Sequence, residues 1–186
     1  KIVTKNNAEI YLDLSASAKG YGVDKIAHYL NSKGIKNYFV EIGGEIRTLG
    51  KSFKNNWRIA IETPSFLKLK TKKFHQVISL KNQSMATSGN YRNYFVENGK
   101  SYSHTIDVKT GRPVKSKLLS VSVVTKRCID ADAWATAILA MGLKKGYRLA
   151  EKLRLKVYFI YKTNELDSNY SRKYTTTWKN SFESKR

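Results

Sequence analysis

Leu118 to Gly142 reads LLSVSVVTKRCIDADAWATAILAMG. Its first part, Leu118 to Thr125, is a β-rich run and reads as a strand. Its second part, Ile129 to Met141, is rich in alanine and helical, with Gly142 closing it. Downstream, Gly146 to Leu153 reads as another helix with Leu149, Ala150 and Leu153 turned inward. Val157 to Tyr161 follows as a strand, and Tyr174 to Trp178 as a last one. Upstream, strands are expected at Tyr102 to Val108, Met85 to Ser88, Val77 to Leu80 and Trp57 to Glu62. Tyr38 to Ile42 and Ile46 to Leu49 pair as a hairpin about Gly43-Gly44. Before them a helix carries Val23, Ile26, Ala27 and Leu30 on one face and stops at Gly34. Ile10 to Leu14 reads as a strand feeding the small-residue turn Ser15 to Gly20. One helix early, strands in the middle and helices late make an α+β domain rather than a doubly wound sheet.

The chain has 186 residues, 41% of them hydrophobic and 26% charged, which suits one medium globular domain with its own core. Its net charge of +21 raises three partner classes: nucleic acid, an anionic membrane surface, or phosphorylated ligands. The lysines are scattered, no nucleic-acid motif is present, and most aromatics sit in strand-like runs, so no specific nucleic-acid partner is expected. One cysteine excludes an internal disulfide framework and a Cys-rich zinc site. No apolar run approaches the roughly 20 residues of a membrane span. The chain opens on Lys1 without a signal-peptide core and reads as a processed form or an excised part of something longer.

Four segments can carry chemistry. In Asp13-Leu14-Ser15-Ala16-Ser17-Ala18-Lys19-Gly20 a carboxylate ends a strand, and a lysine and glycine open a helix. Free N–H groups and a positive dipole make such a helix start a natural phosphate site. A capped helix start with a solvated lysine explains it equally well. In Ile129 to Thr136, Asp132 and Thr136 share one helix face about 6 Å apart along the axis, an oxygen pair suited to Mg²⁺. An acidic first turn with a buried threonine is the plainer reading. In Tyr102-Ser103-His104-Thr105-Ile106-Asp107, His104 is placed to act as a base, or is a strand histidine with a local hydrogen bond. Glu41-Ile42-Gly43-Gly44-Glu45 and Ala86-Thr87-Ser88-Gly89-Asn90-Tyr91 either line a ligand cleft or turn the chain. Cys128 has no histidine beside it and reads as a structural thiol, and His28 and His75 as bland surface residues.

Taken in order, DLSASAKGYGVDK, NYFVEIGGEIRTLGK, WRIAIETP, ATSGNYRNYF, SYSHTIDVKTGRPV and DADAWATAILAMG resemble the ApbE family of FAD:protein FMN transferases over most of Tyr11 to Gly142. The resemblance implies a T-fold-like domain with a mixed or antiparallel sheet and packed helices, spanning 1–186. It implies Mg²⁺-dependent transfer of FMN from FAD to a Ser or Thr of an acceptor flavoprotein, releasing AMP. The alternatives are FAD hydrolysis to FMN and AMP, or an inactive flavin- or nucleotide-binding fragment. Asp13, Lys19 and the backbone of Ile106 match FAD contacts. The Ala16 carbonyl, Asp132 and Thr136 match the Mg²⁺ site, and His104 matches the base that activates the acceptor hydroxyl. Family members are exported and held by a lipidated cysteine at the outer, periplasmic face of the inner membrane. This chain carries no such anchor and corresponds to the C-terminal two-thirds of the family's usual length.

Overall fold

The structure, a computed structural model, describes residues 3–64, 74–90, 94–97, 100–103, 106–107, 111–113, 117–163 and 170–183; for 94–97, 100–103, 106–107 and 112–113 it describes the backbone. In chain order the elements are α1 (Ser15–Ser32), β1 (Tyr38–Ile42), β2 (Glu45–Leu49), β3 (Trp57–Glu62), β4 (Phe74–Leu80), β5 (Ser84–Gly89), β6 (Tyr94–Glu97), β7 (Lys100–Ser103), β8 (Ile106–Asp107), β9 (Arg112–Pro113), β10 (Leu118–Thr125), α2 (Cys128–Lys152), β11 (Lys156–Lys162), β12 (Tyr170–Tyr174) and α3 (Thr176–Phe182). Six strands form one sheet in the order β1-β2-β5-β10-β11-β12, and every pairing in it is antiparallel. The strands β3 and β4 make a separate two-stranded ribbon, as do β6 with β7 and β8 with β9. The α+β class expected from the sequence is the class observed.

Side-chain alternation along the central strands divides the core. Val121 and Val123 of β10, with Val157 and Phe159 of β11, pack under Ala135, Ile138 and Leu139 of α2. On the opposite face Val124, Tyr158 and Ile160 pack with Ile59, Ile61, Ile78 and Leu80 of the β3–β4 ribbon and with Trp178 of α3. Helix α1 lies on the same face as α2, setting Val23 and Ala27 against Tyr38, Val40 and Cys128. Helix α2 is two segments joined at Gly142, whose φ of 73° is the left-handed conformation that glycine tolerates. The sequence break at Gly142 therefore survives as a kink rather than as a loop.

Five expectations are corrected. Ile10 to Leu14 forms no strand: it runs exposed beside no described strand that could take its backbone hydrogen bonds, with Tyr11 87% exposed. Ser15 to Gly20 is already the first turn and a half of α1, and Ile26 is on its solvent side. Leu153 lies past the last helical residue of α2 and is exposed, whereas Ala150 is buried. Tyr174 ends β12, and Trp178 belongs to α3. The reason is Thr175: it is fully buried, and its Oγ1 accepts from the N–H groups of Trp178 (3.3 Å) and Val157 (3.1 Å) and donates to the Leu155 carbonyl (2.7 Å). A threonine cap starts a helix where a strand would otherwise continue. Thr175→Ala strips three buried backbone groups of one partner and should cost about 2 kcal/mol, read as a lower urea midpoint at unchanged m-value. The strand expected over Tyr102 to Val108 is observed as β7 and β8, with residues 104–105 outside the described set. In the lysine-rich stretch Leu67 to Phe74, all but Phe74, which opens β4, also lie outside the described residues.

Candidate functional site

The site is built where α1 crosses α2. Gly20 is buried at the crossing, and a Cβ there would sit 2.5 Å from the Cys128 carbonyl oxygen and 2.8 Å from Asp132 Cβ. Only a glycine lets the two backbones approach so closely. The Gly20 N–H donates to Asp132 Oδ2 at 2.8 Å. In a regular α-helix that N–H would serve the carbonyl of residue 16. Its contact with Asp132 therefore sets that carboxylate against the α1 turn that carries Ala16. Asp132 is 3% exposed, and burial pushes its carboxyl up, against the opposing pull of the Gly20 hydrogen bond and the Lys19 ammonium. One turn further along α2, Thr136 Oγ1 lies 2.9 Å from Ser88 Oγ of β5.

The start of α2 is held from outside. Asp24 of α1 accepts from the N–H groups of Cys128 and Ile129, each at 3.0 Å, and from Arg47 Nη1 of β2. Two N–H groups that a helix start leaves open are thus satisfied by a residue 104 positions upstream. This contact aligns the turn that bears Asp132 against Gly20. Beside it, Lys19 Nζ lies 2.8 Å from Glu45 Oε2, a close ion pair rather than an aligned hydrogen bond. The Lys19 side chain is half exposed while Glu45 is buried, and burial pushes the Glu45 carboxyl up although Lys19 draws it down. Glu45 begins β2 directly after the Gly43-Gly44 turn. Cys128 is buried and free, its thiol pushed well above the ordinary range by burial, so it stays structural.

The structure therefore brings Lys19, Asp132 and Thr136 into one region with the α1 turn that carries Ala16. Asp13 is not drawn in: it is exposed, and its Oδ1 accepts from the hydroxyl and, at 2.7 Å, the N–H of Ser15, which holds its carboxyl below the usual range. Ile106 pairs with Pro113 through the backbone of β8 and β9. His104 lies outside the described residues. Asp24 enters the site without having been named in the sequence, and Glu45 and Ser88 enter it from the two glycine-containing segments, where neither was given a role of its own. Ser88 was visible by alternation, since β5 sends Ala86 and Ser88 to one face. Glu45 and Asp24 gave no local signal, because their partners lie far along the chain. The paired glycines do line a cleft of about 320 Å³, formed by Gly43, Gly44 and Gly89 with Phe39, Arg58 and Thr87.

The donor set fits a divalent cation of the Mg²⁺ type. Among the described residues no three His, Cys, Asp or Glu side chains gather as a closed cage. Asp132 Oδ2 is spent on Gly20, and Oδ1 takes no hydrogen bond from a described residue. A buried carboxylate, a hydroxyl one turn on and the backbone carbonyl of the facing α1 turn are hard oxygen ligands. They leave positions open for phosphate and water, as Mg²⁺ prefers.

Comparison with known proteins bears on the family and the fold. The ApbE family model matches residues 1–159. The FAD:protein FMN transferase of Vibrio cholerae is 45% identical over 170 residues, covering 91% of this chain and 50% of that protein. The Haemophilus influenzae FAD:protein FMN transferase is 41% identical, covering 98% of this chain and 52% of that protein. The solved flavin transferase ApbE from Vibrio cholerae superposes with a TM-score of 0.82 at 41% identity, covering 96% of this chain and 55% of the other. The apo flavinyl transferase ApbE of Pseudomonas stutzeri gives 0.77 at 34% identity, over 92% of this chain and 51% of the other. The chain spans about half the length of the curated relatives it matches. With the family model over most of its length and the same strand and helix arrangement in solved members, this chain belongs to the ApbE family.

Proposed function

We propose that this chain carries the transfer of the FMN half of FAD to a Ser or Thr hydroxyl of an acceptor flavoprotein, with release of AMP. The observation that carries the reading is the meeting of Gly20 of α1 with Asp132 of α2 across 112 residues of sequence, with the ammonium of the adjacent Lys19 near enough to draw the Asp132 carboxyl down. It sets an ammonium and a buried carboxylate side by side, as a ligand that brings both phosphate and a metal ion requires. Asp132, Thr136 and the Ala16 carbonyl would hold Mg²⁺, which when bound offsets the negative charge of the diphosphate. Lys19 draws a phosphate by its charge, and Asp13 and the Ile106 backbone are assigned to the rest of FAD. His104 takes the proton of the acceptor hydroxyl. The hydroxyl oxygen then forms a bond to the FMN-side phosphorus while the anhydride bond breaks, and AMP leaves with its own phosphate. On family grounds the place of action is the periplasmic face of the inner membrane. No helix among the described residues is long and apolar enough to cross a membrane.

The test is intact-mass spectrometry of a candidate acceptor domain after incubation with the full chain, FAD and Mg²⁺. A gain of one FMN, blocked by EDTA, is the expected result. AMP release without a gain of mass would instead favour hydrolysis, and neither product would refute the reading.

A further inference from the structure

Glu45 is a buried carboxylate for which the proposed reaction has no use. It sits on the first residue of β2, 1% exposed, and its Oε2 faces Lys19 Nζ at 2.8 Å. The turn that delivers it is tight: Gly43 and Gly44 have φ of 60° and 100°, and a Cβ on Gly43 would come within 3.3 Å of Lys19 Cδ and 3.7 Å of Glu45 Oε2. The turn thus sits directly over the ion pair. Lys19 and Gly20 are consecutive, so the ammonium held by Glu45 and the N–H held by Asp132 are one residue apart on α1. Lys19 is the one cation among the described residues that acts on both carboxylates. One turn along, Asp24 and Arg47 form their own pair and cancel each other.

Two carboxylates and one ammonium leave this cradle with a net negative charge. An arriving diphosphate meets a lysine already engaged and a carboxylate surplus that repels it. A divalent cation reverses the balance. We propose that Glu45 is a specificity-determining residue that makes diphosphate binding conditional on the divalent cation, by neutralising Lys19 until the cation enters beside Asp132. The cation then supplies the charge that lets Lys19 turn from Glu45 to a phosphate. The inference rests on the flavin-transfer reading only for the identity of the ligand; the charge balance holds for any diphosphate.

The test is calorimetric titration of the full chain with FAD, and separately with inorganic pyrophosphate, in EDTA and in excess Mg²⁺. In the unaltered protein Mg²⁺ should tighten both by about tenfold or more. In Glu45→Gln, which keeps the shape and removes the charge, binding in EDTA should tighten by about tenfold and the response to Mg²⁺ should shrink to about threefold. Lys19→Gln gives an independent check should Glu45→Gln fail to fold. It should leave binding in EDTA nearly unchanged and weaken binding in Mg²⁺ by about tenfold. A folded Glu45→Gln or Lys19→Gln protein that binds as the unaltered protein does in both buffers would overturn the proposal. So would failure of both ligands to bind the unaltered protein in Mg²⁺. Conditional binding of pyrophosphate without any FAD binding would keep the proposal and refute the flavin reading instead.

Discussion

Asp132→Asn is expected to lower the proposed Mg²⁺-dependent FMN transfer about a thousandfold while leaving the fold intact. The isosteric amide keeps an oxygen for the Gly20 N–H, so the contact between α1 and α2 survives. What it loses is a formal charge that burial already disfavours, with Asp132 only 3% exposed. Thermal stability should accordingly hold or rise slightly. The loss falls on the metal site, where removal of one anionic ligand forfeits several kcal/mol of charge stabilisation; about 4 kcal/mol corresponds to a factor of about a thousand in rate. Turnover by acceptor mass gain, with a melting curve alongside, separates the two effects. Normal turnover at any Mg²⁺ concentration would remove Asp132 from the metal site.

Gly20→Ala is expected to be the most destabilising single methyl in α1, at about 3 kcal/mol. Its Cβ would lie 2.5 Å from a carbonyl oxygen and 2.8 Å from Asp132 Cβ. The first of these contacts is to backbone, which no side-chain rotation relieves. The helices must separate, and with them the Gly20–Asp132 hydrogen bond and the Asp24 contacts to the start of α2. Gly22→Ala, two residues on, is the control. Its Cβ would meet only the tip of Ile42 at 3.2 Å, a flexible group, and alanine favours the helix by up to about 1 kcal/mol. The urea midpoint should fall clearly for Gly20→Ala and stay within about 1 kcal/mol of the unaltered protein for Gly22→Ala. Similar stability for the two variants would mean that the crossing is looser than the structure shows.

Where structure is decided by neighbours in sequence, the sequence was legible. The runs at Tyr38 to Ile42, Trp57 to Glu62 and Leu118 to Thr125 are strands with those bounds, and glycines at 34, 43, 44 and 142 adopt the positive φ that their positions suggested. The misreadings share a cause. Ile10 to Leu14 has strand composition, but a strand needs a neighbour to bond with. Tyr174 to Trp178 has it too, but Thr175 bonds to Leu155 and Val157 and turns the chain into a helix. Of the candidate site, Lys19, Asp132 and Thr136 were picked out individually because their types are conspicuous in small-residue surroundings. Glu45 and Asp24 were not, because a glutamate after two glycines and an aspartate in a polar helix look solvated until their distant partners are known.

The crossing that makes the site also sets when it can exist. Its hydrogen bonds join residues 104 and 112 positions apart, so each closes a loop of more than half the chain before any gain is returned. During synthesis α1 is complete while the partner turn of α2 has not been made, an interval of roughly 5 to 20 seconds at ordinary elongation rates. Throughout it Lys19 and Gly20 have neither Asp132 nor the crossing beside them. Chemical competence therefore arrives late and all at once, with the docking of two helices, and a nascent chain is silent until that docking occurs.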